Sequence, residues 1–233
     1  MLRELISIFQ DKDPLAEAGE SFARMLRLTQ EMNFAAGEIF FGERREKTQR
    51  ERIYERDTEV NALEQKIRRW VMTHLAVPGS NADLPYSLLL ISLVKDVERL
   101  GDYAKNLSEI VDIRPDPLPD GPALVELMMI RRRVELSFQS SADVFEGSRK
   151  EEAAELIKQA RETARRCDQL ISEIGRSDYD AATTTAFILG TRYYKRIGAH
   201  VLNVLSSVVM PLDKVDYYDE PLPLPPNTSE PNL

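Results

Sequence analysis

One cysteine, two histidines and ten glycines are few for a chain of 233 residues, and each scarcity excludes something. With Cys167 alone no internal disulfide can form, and a reducing compartment is expected. His74 and His200 supply a hydrolytic triad poorly, and the chain has neither a Gly-x-Ser-x-Gly elbow nor a glycine-rich phosphate loop. Neither histidine follows a Glu by three residues, so the Glu-x-x-His pairs of a di-metal bundle enzyme are missing too. No residue is needed as a catalyst, and a non-enzyme is expected. An excess of basic residues is also lacking. The formal charge of −8 argues against a nucleic-acid partner, because duplex binding needs a concentrated basic face. The longest apolar stretch, LLLISLV, is broken by Ser92 and falls far short of the ~20 residues that span a bilayer. The opening residues, MLRELISIF, lack the apolar run of a signal peptide. A cytoplasmic protein, peripheral to a membrane at most, is the expectation.

What is present is helical. Glycine is scarce and most of the 13 prolines lie in two clusters rather than along the chain, which favours long uninterrupted helices. A first helix is predicted over about 14–41, a second over 44–76 stopped by PGSN, and a third from 83–85 to about 113. RPDPLPDGP, residues 114–122, is a linker. Three more helices follow over about 123–146, 149–174 and 179–209, with Gly147, Gly175 and Pro211 as stops. In the fifth, Ala153, Leu156, Ile157, Ala160, Ala164, Cys167, Ile171 and Ile174 recur at three- and four-residue steps, a core stripe. No segment alternates with period two. The fold class is therefore all-α: two tandem antiparallel three-helix bundles, 14–113 and 123–210, joined by the linker. Residues 211–233, with PLPLPP, read as a disordered, partly polyproline tail, a ligand for a proline-binding groove being the alternative.

The two halves echo one another. VKDVERLGDYAKNLSEI in the third helix and YYKRIGAHVLNVLS in the sixth share an Arg, a Gly and an Asn. Aligning Arg99 with Arg196, an offset of 97, carries Gly101 onto Gly198 and Asn106 onto Asn203. Gly inside a helix costs about 1 kcal/mol relative to Ala, so its recurrence points to a close neighbour, a helix or a ligand. The acids are not shared. Glu98, Asp102 and Asn106 fall at i, i+4, i+8 and line one strip, where like charges repel unless a cation or a basic side chain lies between them. Carboxylate and amide oxygens suit hard cations. On the second helix, Asp57, Asn61 and Glu64 share a face with Ile53, Val60, Ile67 and Val71, and acids set in an apolar stripe need partners when buried.

ERDTEVNALEQKIRRWV and VKDVERLGDYAKNLSEI resemble the two signature helices of the PhoU family of phosphate-uptake regulators. That family is built from two tandem three-helix repeats, each with an E/D-x-x-x-D motif on its third helix. The resemblance extends over about residues 15–210 and is specific in these two helices. In the family the motif binds metal ions, in some members as multinuclear iron clusters. The resemblance implies a metal site formed by Glu98 and Asp102, with Asp57, Asn61 and Glu64 facing them, for iron, manganese, magnesium or zinc. It further implies a negative regulator of phosphate uptake and starvation signalling, a homodimer, docking to a phosphate ABC transporter and a sensor histidine kinase. An accessory metal-binding protein of an inorganic phosphate permease is the alternative. The second repeat departs from the pattern. Glu98 corresponds to Lys195 and Asp102 to Ala199, and an offset of 107 sets Asp57 on Ala164, Asn61 on Asp168 and Glu64 on Ile171. A second metal site is therefore expected to be absent.

The remaining residues read more plainly. Arg131–Arg133 and the ERREK run at 43–47 are expected on solvated faces, phosphate or partner contact being the alternative, His74 and His200 as packing or hydrogen-bonding residues, and Trp70 as a core or groove anchor. Cys167, on the core stripe, is expected to be inert.

Overall fold

The computed structural model describes residues 14–43 and 47–215. Six long helices make up these residues: α1 (Pro14–Phe40), α2 (Lys47–Leu75), α3 (Leu84–Glu109), α4 (Pro122–Glu146), α5 (Lys150–Ile174) and α6 (Ala181–Val209). No strand occurs among the described residues, and the boundaries fall within about four residues of those read from the Pro/Gly punctuation. Prolines open α1, α3 and α4, where the first turn has no use for an N–H. Asp180 caps α6, accepting the Thr183 backbone N–H at 2.9 Å. Gly147 and Gly175 do end α4 and α5, but both keep right-handed helical angles; the left-handed residue after α4 is Ser148, at φ 48°.

Each half packs its three helices antiparallel, and the residues they bury, Met25, Leu26, Ile53, Ile67, Leu93 and Leu100 in the first and Ile130, Phe138, Cys167, Phe187 and Tyr194 in the second, belong to one continuous core. The halves meet along α3 and α6 and, more narrowly, along α1 and α4. On the second seam Phe22 of α1 packs on Phe145 of α4 with ring centroids 4.8 Å apart. On the first, Asp96 Oδ1 accepts the Asn203 amide at 2.8 Å and lies 2.7 Å from His200 Nδ1, while His200 stacks on Tyr103. His200 is thus the hydrogen-bonding residue that its setting implied. His74 pairs with Asp83 at 2.9 Å, and Trp70, half-buried against the core, carries Lys66 over its ring.

The linker is an ordered connection. Arg114 donates to Thr183 Oγ1 at 2.9 Å and to the carbonyls of Asp116 and Pro117, tying the segment to the start of α6. Gly121 closes it at φ 149°, a conformation that L side chains resist. The tail expected from Pro211 onward starts with ordered residues. Leu212–Lys214 forms a short 3-10 turn there and Val215 is buried; residues 216–233 lie outside those described.

Two expectations need correction. Arg131 is not on a solvated face: its side chain is 14% exposed, paired with Glu43 at 2.6 Å and Glu135 at 2.7 Å and set over the Phe41 ring. Burial disfavours its charge, and the bonds to the two carboxylates outweigh that and raise its pKa. The α5 stripe also turns with the helix. Thr163 and Leu170 are buried in place of Ala160, Ala164 and Ile171, which are only half-buried.

Candidate functional site

Asp57 occupies the buried stripe of α2 beside Ile53 and Val60, as its spacing requires. An isolated carboxylate there would cost several kcal/mol. The chain supplies the countercharge itself. Lys105, one helical turn beyond Asp102 on α3, places Nζ 2.8 Å from Asp57 Oδ2 and 3.0 Å from Asp102 Oδ1. Asn61 adds a weaker bond, its amide 3.3 Å from the same Asp57 oxygen. Asp57 Oδ1 is buried without a hydrogen-bond partner. Burial alone would lower the Lys105 pKa, but its bonds to Asp57 and Asp102 prevail and raise it.

The other acids are neutralised separately. Glu98 lies 2.8 Å from Lys95, an ion pair in which Oε2 accepts no well-directed hydrogen bond. Arg99 reaches Asp102 at 3.4 Å, and Glu64 pairs with Arg68 one turn along α2 at 2.9 Å. Asn106 takes no part in these pairs. The structure therefore brings Asp57, Asn61 and Asp102 around one point and leaves Glu64 and Asn106 outside it. Among the described residues no three His, Cys, Asp or Glu side chains converge as a metal would need. With Lys105 between its two carboxylates, this donor set does not fit a resident metal ion. Lys105 is the residue that the sequence reading missed, although its i, i+3 spacing from Asp102 was a signal.

The frame shared by the two halves also resolves into separate roles within the chain. A Cβ on Gly101 would stand 3.3 Å from Asp57 Oδ1 and 3.4 Å from Met32 Cε, so the glycine lets α1 and the acid approach. At Gly198 the nearest atom, Val134 Cγ2, is 3.6 Å away, an ordinary contact. Arg99 and Arg196 are both exposed and hold no helices together. The closest approach involves glycines outside the repeat. A Cβ on Gly190 would fall 2.4 Å from the Phe40 ring, and one on Gly37 would fall 2.8 Å from Tyr194 Oη.

In the second half the equivalent positions do converge. Ala164, Asp168, Lys195, Gly198 and Ala199 line one cavity between α4, α5 and α6. Lys195 holds Asp168 through both carboxylate oxygens, at 2.5 and 2.6 Å. The acidic pair of the first half has no counterpart here.

Residues 22–111, from α1 to the end of α3, match the family model described as PhoU domain. Two relatives from Xylella fastidiosa, strains 9a5c and Temecula1, are each 29% identical over 181 residues, or 73% of this chain. The alignments cover 74% and 72% of those proteins, each named phosphate-specific transport system accessory protein PhoU homolog. The fold is similar to the crystal structure of PhoU from Pseudomonas aeruginosa, with a TM-score of 0.75 at 20% identity over 84% of this chain and 95% of that one. It is likewise similar to the phosphate transport system regulatory protein PhoU from Streptococcus pneumoniae, with a TM-score of 0.73 at 18% identity, covering 84% and 93%.

Proposed function

The chain belongs to the PhoU family, and on that premise we propose that it is an accessory regulator of phosphate transport that works by docking. The observation that carries this reading is the PhoU-domain match across the whole acid-bearing half, α1 to α3. The relatives' names point to a phosphate-specific transport system rather than to a single permease. The partners in this reading are the transporter's cytoplasmic side and a sensor histidine kinase, and its sense is restraint of uptake and of starvation signalling. Long helices suit such a role. α4 carries Val125, Met128, Met129 and Leu136 exposed on one face, between 46% and 58%, the composition of a protein contact.

Metal enters this reading only as a competitor. Iron, manganese, magnesium or zinc would reach Asp57 and Asp102 by displacing Lys105, so docking is assigned to the protein surface rather than to a bound ion. Deletion of the gene with measurement of phosphate uptake and of phosphate-starvation reporter expression in phosphate-rich medium tests the function. Both should rise and return on complementation. Unchanged uptake and reporter levels would remove the regulatory reading. A Met128→Glu/Leu136→Glu variant should fold normally yet fail to complement.

A further inference from the structure

The cavity of the second half, about 310 Å³, carries no role in docking. It arises from what the second repeat lost. The offsets that align the halves place Ala164 where Asp57 stands, Ala199 where Asp102 stands and Leu202 where Lys105 stands. Two carboxylates have been cut back to methyl groups and an ammonium has become an isobutyl group. A charged and filled site has become a hollow with an apolar floor, which Ala160, Ala164, Gly198 and Ala199 line.

The rim has changed sign as well. Lys195 replaces Glu98, and the offset of 107 puts Arg161 at Tyr54 and Arg165 at Thr58. Arg133 of α4 joins them. The counter-charges include Asp168, bound to Lys195, the exposed Glu162, 3.7 Å from Arg133, and Glu126, whose carboxyl Arg166 and, more weakly, Arg133 hold below its usual range; Arg161 too has a partner of its own. A positive rim over an apolar floor is unusual in a chain whose net charge is −8.

We propose that this cavity binds an organic phosphate, its phosphoryl group on the arginine rim and a planar or apolar body on the alanine–glycine floor. Guanidinium groups match phosphate oxygens two at a time, which favours a phosphoryl head. A cavity of 310 Å³ is at the lower end of those that enclose small ligands, and a bare phosphate ion would leave the apolar floor uncovered. The inference is independent of the docking reading, since it rests on the cavity alone.

Calorimetric titration of the full chain tests it with adenosine monophosphate, flavin mononucleotide, pyridoxal phosphate and a sugar monophosphate, beside adenosine, riboflavin, pyridoxal and inorganic phosphate. At least one monoester should bind with Kd below about 1 mM, and its dephosphorylated partner and inorganic phosphate at least about tenfold more weakly. Arg165→Glu, at an exposed position, should weaken that binding by about tenfold or more, and Ala199→Trp, which fills the floor, should abolish it. Circular dichroism melts of both variants without ligand establish that they fold. Failure of all four monoesters to bind, or binding that neither variant weakens, overturns the proposal. Equally tight binding of inorganic phosphate or of the dephosphorylated bodies overturns it as well.

Discussion

Lys105→Met removes the ammonium while keeping most of the aliphatic stem, and it isolates what that charge does. In the variant, Asp57, whose side chain is 13% exposed, keeps only the Asn61 amide at 3.3 Å, and its Oδ1 is already buried without a partner. Asp102, 31% exposed, retains Arg99 and water. The loss therefore falls mainly on Asp57. Stripping the charged partner from a fully buried pair costs about 3–5 kcal/mol, and a lost hydrogen bond to a charged group about 1.5–3. With Lys105 21% exposed, a value of about 2 kcal/mol is expected. Urea unfolding at pH 7 in chelator would show it as a lower midpoint at unchanged slope. Asp57→Asn should be milder, and in the double variant the cost should fall well below the sum, a coupling of about 1–2 kcal/mol. Because the partners raise the Lys105 pKa, its contribution is complete below the unfolded value near 10.4 and is lost only as pH climbs through the folded one. The destabilisation should thus be flat from pH 6 to 9. Manganese or magnesium should stabilise Lys105→Met more than the unaltered chain, because only the variant presents its acids uncovered. A variant as stable as the unaltered chain, with no coupling to Asp57, would refute the idea that Lys105 neutralises the acid site.

Glycine substitutions should divide by distance rather than by repeat. Gly198→Ala, with its nearest neighbour at 3.6 Å, should gain up to ~1 kcal/mol of helix propensity, whereas Gly190→Ala, 2.4 Å from the Phe40 ring, should lose about 1–2 kcal/mol net by overpacking; chemical denaturation of both measures it. The Cys167 thiol, pushed up to about 12 by burial, should resist a thiol reagent at pH 8 until urea unfolds the chain. Since its folded value lies above the unfolded one, stability should fall between about pH 8.5 and 12, and Cys167→Ala should remove up to about 1.4 kcal/mol per pH unit of that slope. Asp180→Ala should lower the melting temperature by uncapping α6 at pH 7, and the difference should shrink on acidification, because the Thr183 bonds lower the Asp180 pKa.

Helix boundaries were legible because Pro and Gly act locally: Pro14, Pro122 and Gly147 each stand within a residue of an observed end. The burial of Asp57 was legible for the same reason, since the 3.6-residue period of α2 carries it between Ile53 and Val60. Partners distant in sequence were not. Arg131 looks like a member of an exposed basic triplet, and its carboxylate Glu43 is 88 residues away on the other half. Asp96 gives no local sign that Asn203 and His200 will need it. The α5 stripe misled at Ala160 and Ala164 because a period reports which side faces inward, not whether anything fills the space there. A cavity is missing volume, and missing volume has no letter in a sequence. The degenerate second half, read as a lost site, was in fact the place where the chain gained room.

The seam through Asp96 sets a limit on modularity. Asn203 is the partner of Asn106 in the repeat and His200 that of Tyr103, yet in the second half both turn outward to serve an acid of the first. A gene joining two copies of the first half would present Tyr in place of His200 and two Lys105-closed acid sites. Neither half could be excised without uncovering Asp96 on one side or the Asn203 amide on the other. The duplication has become a division of labour, and the halves are no longer exchangeable parts.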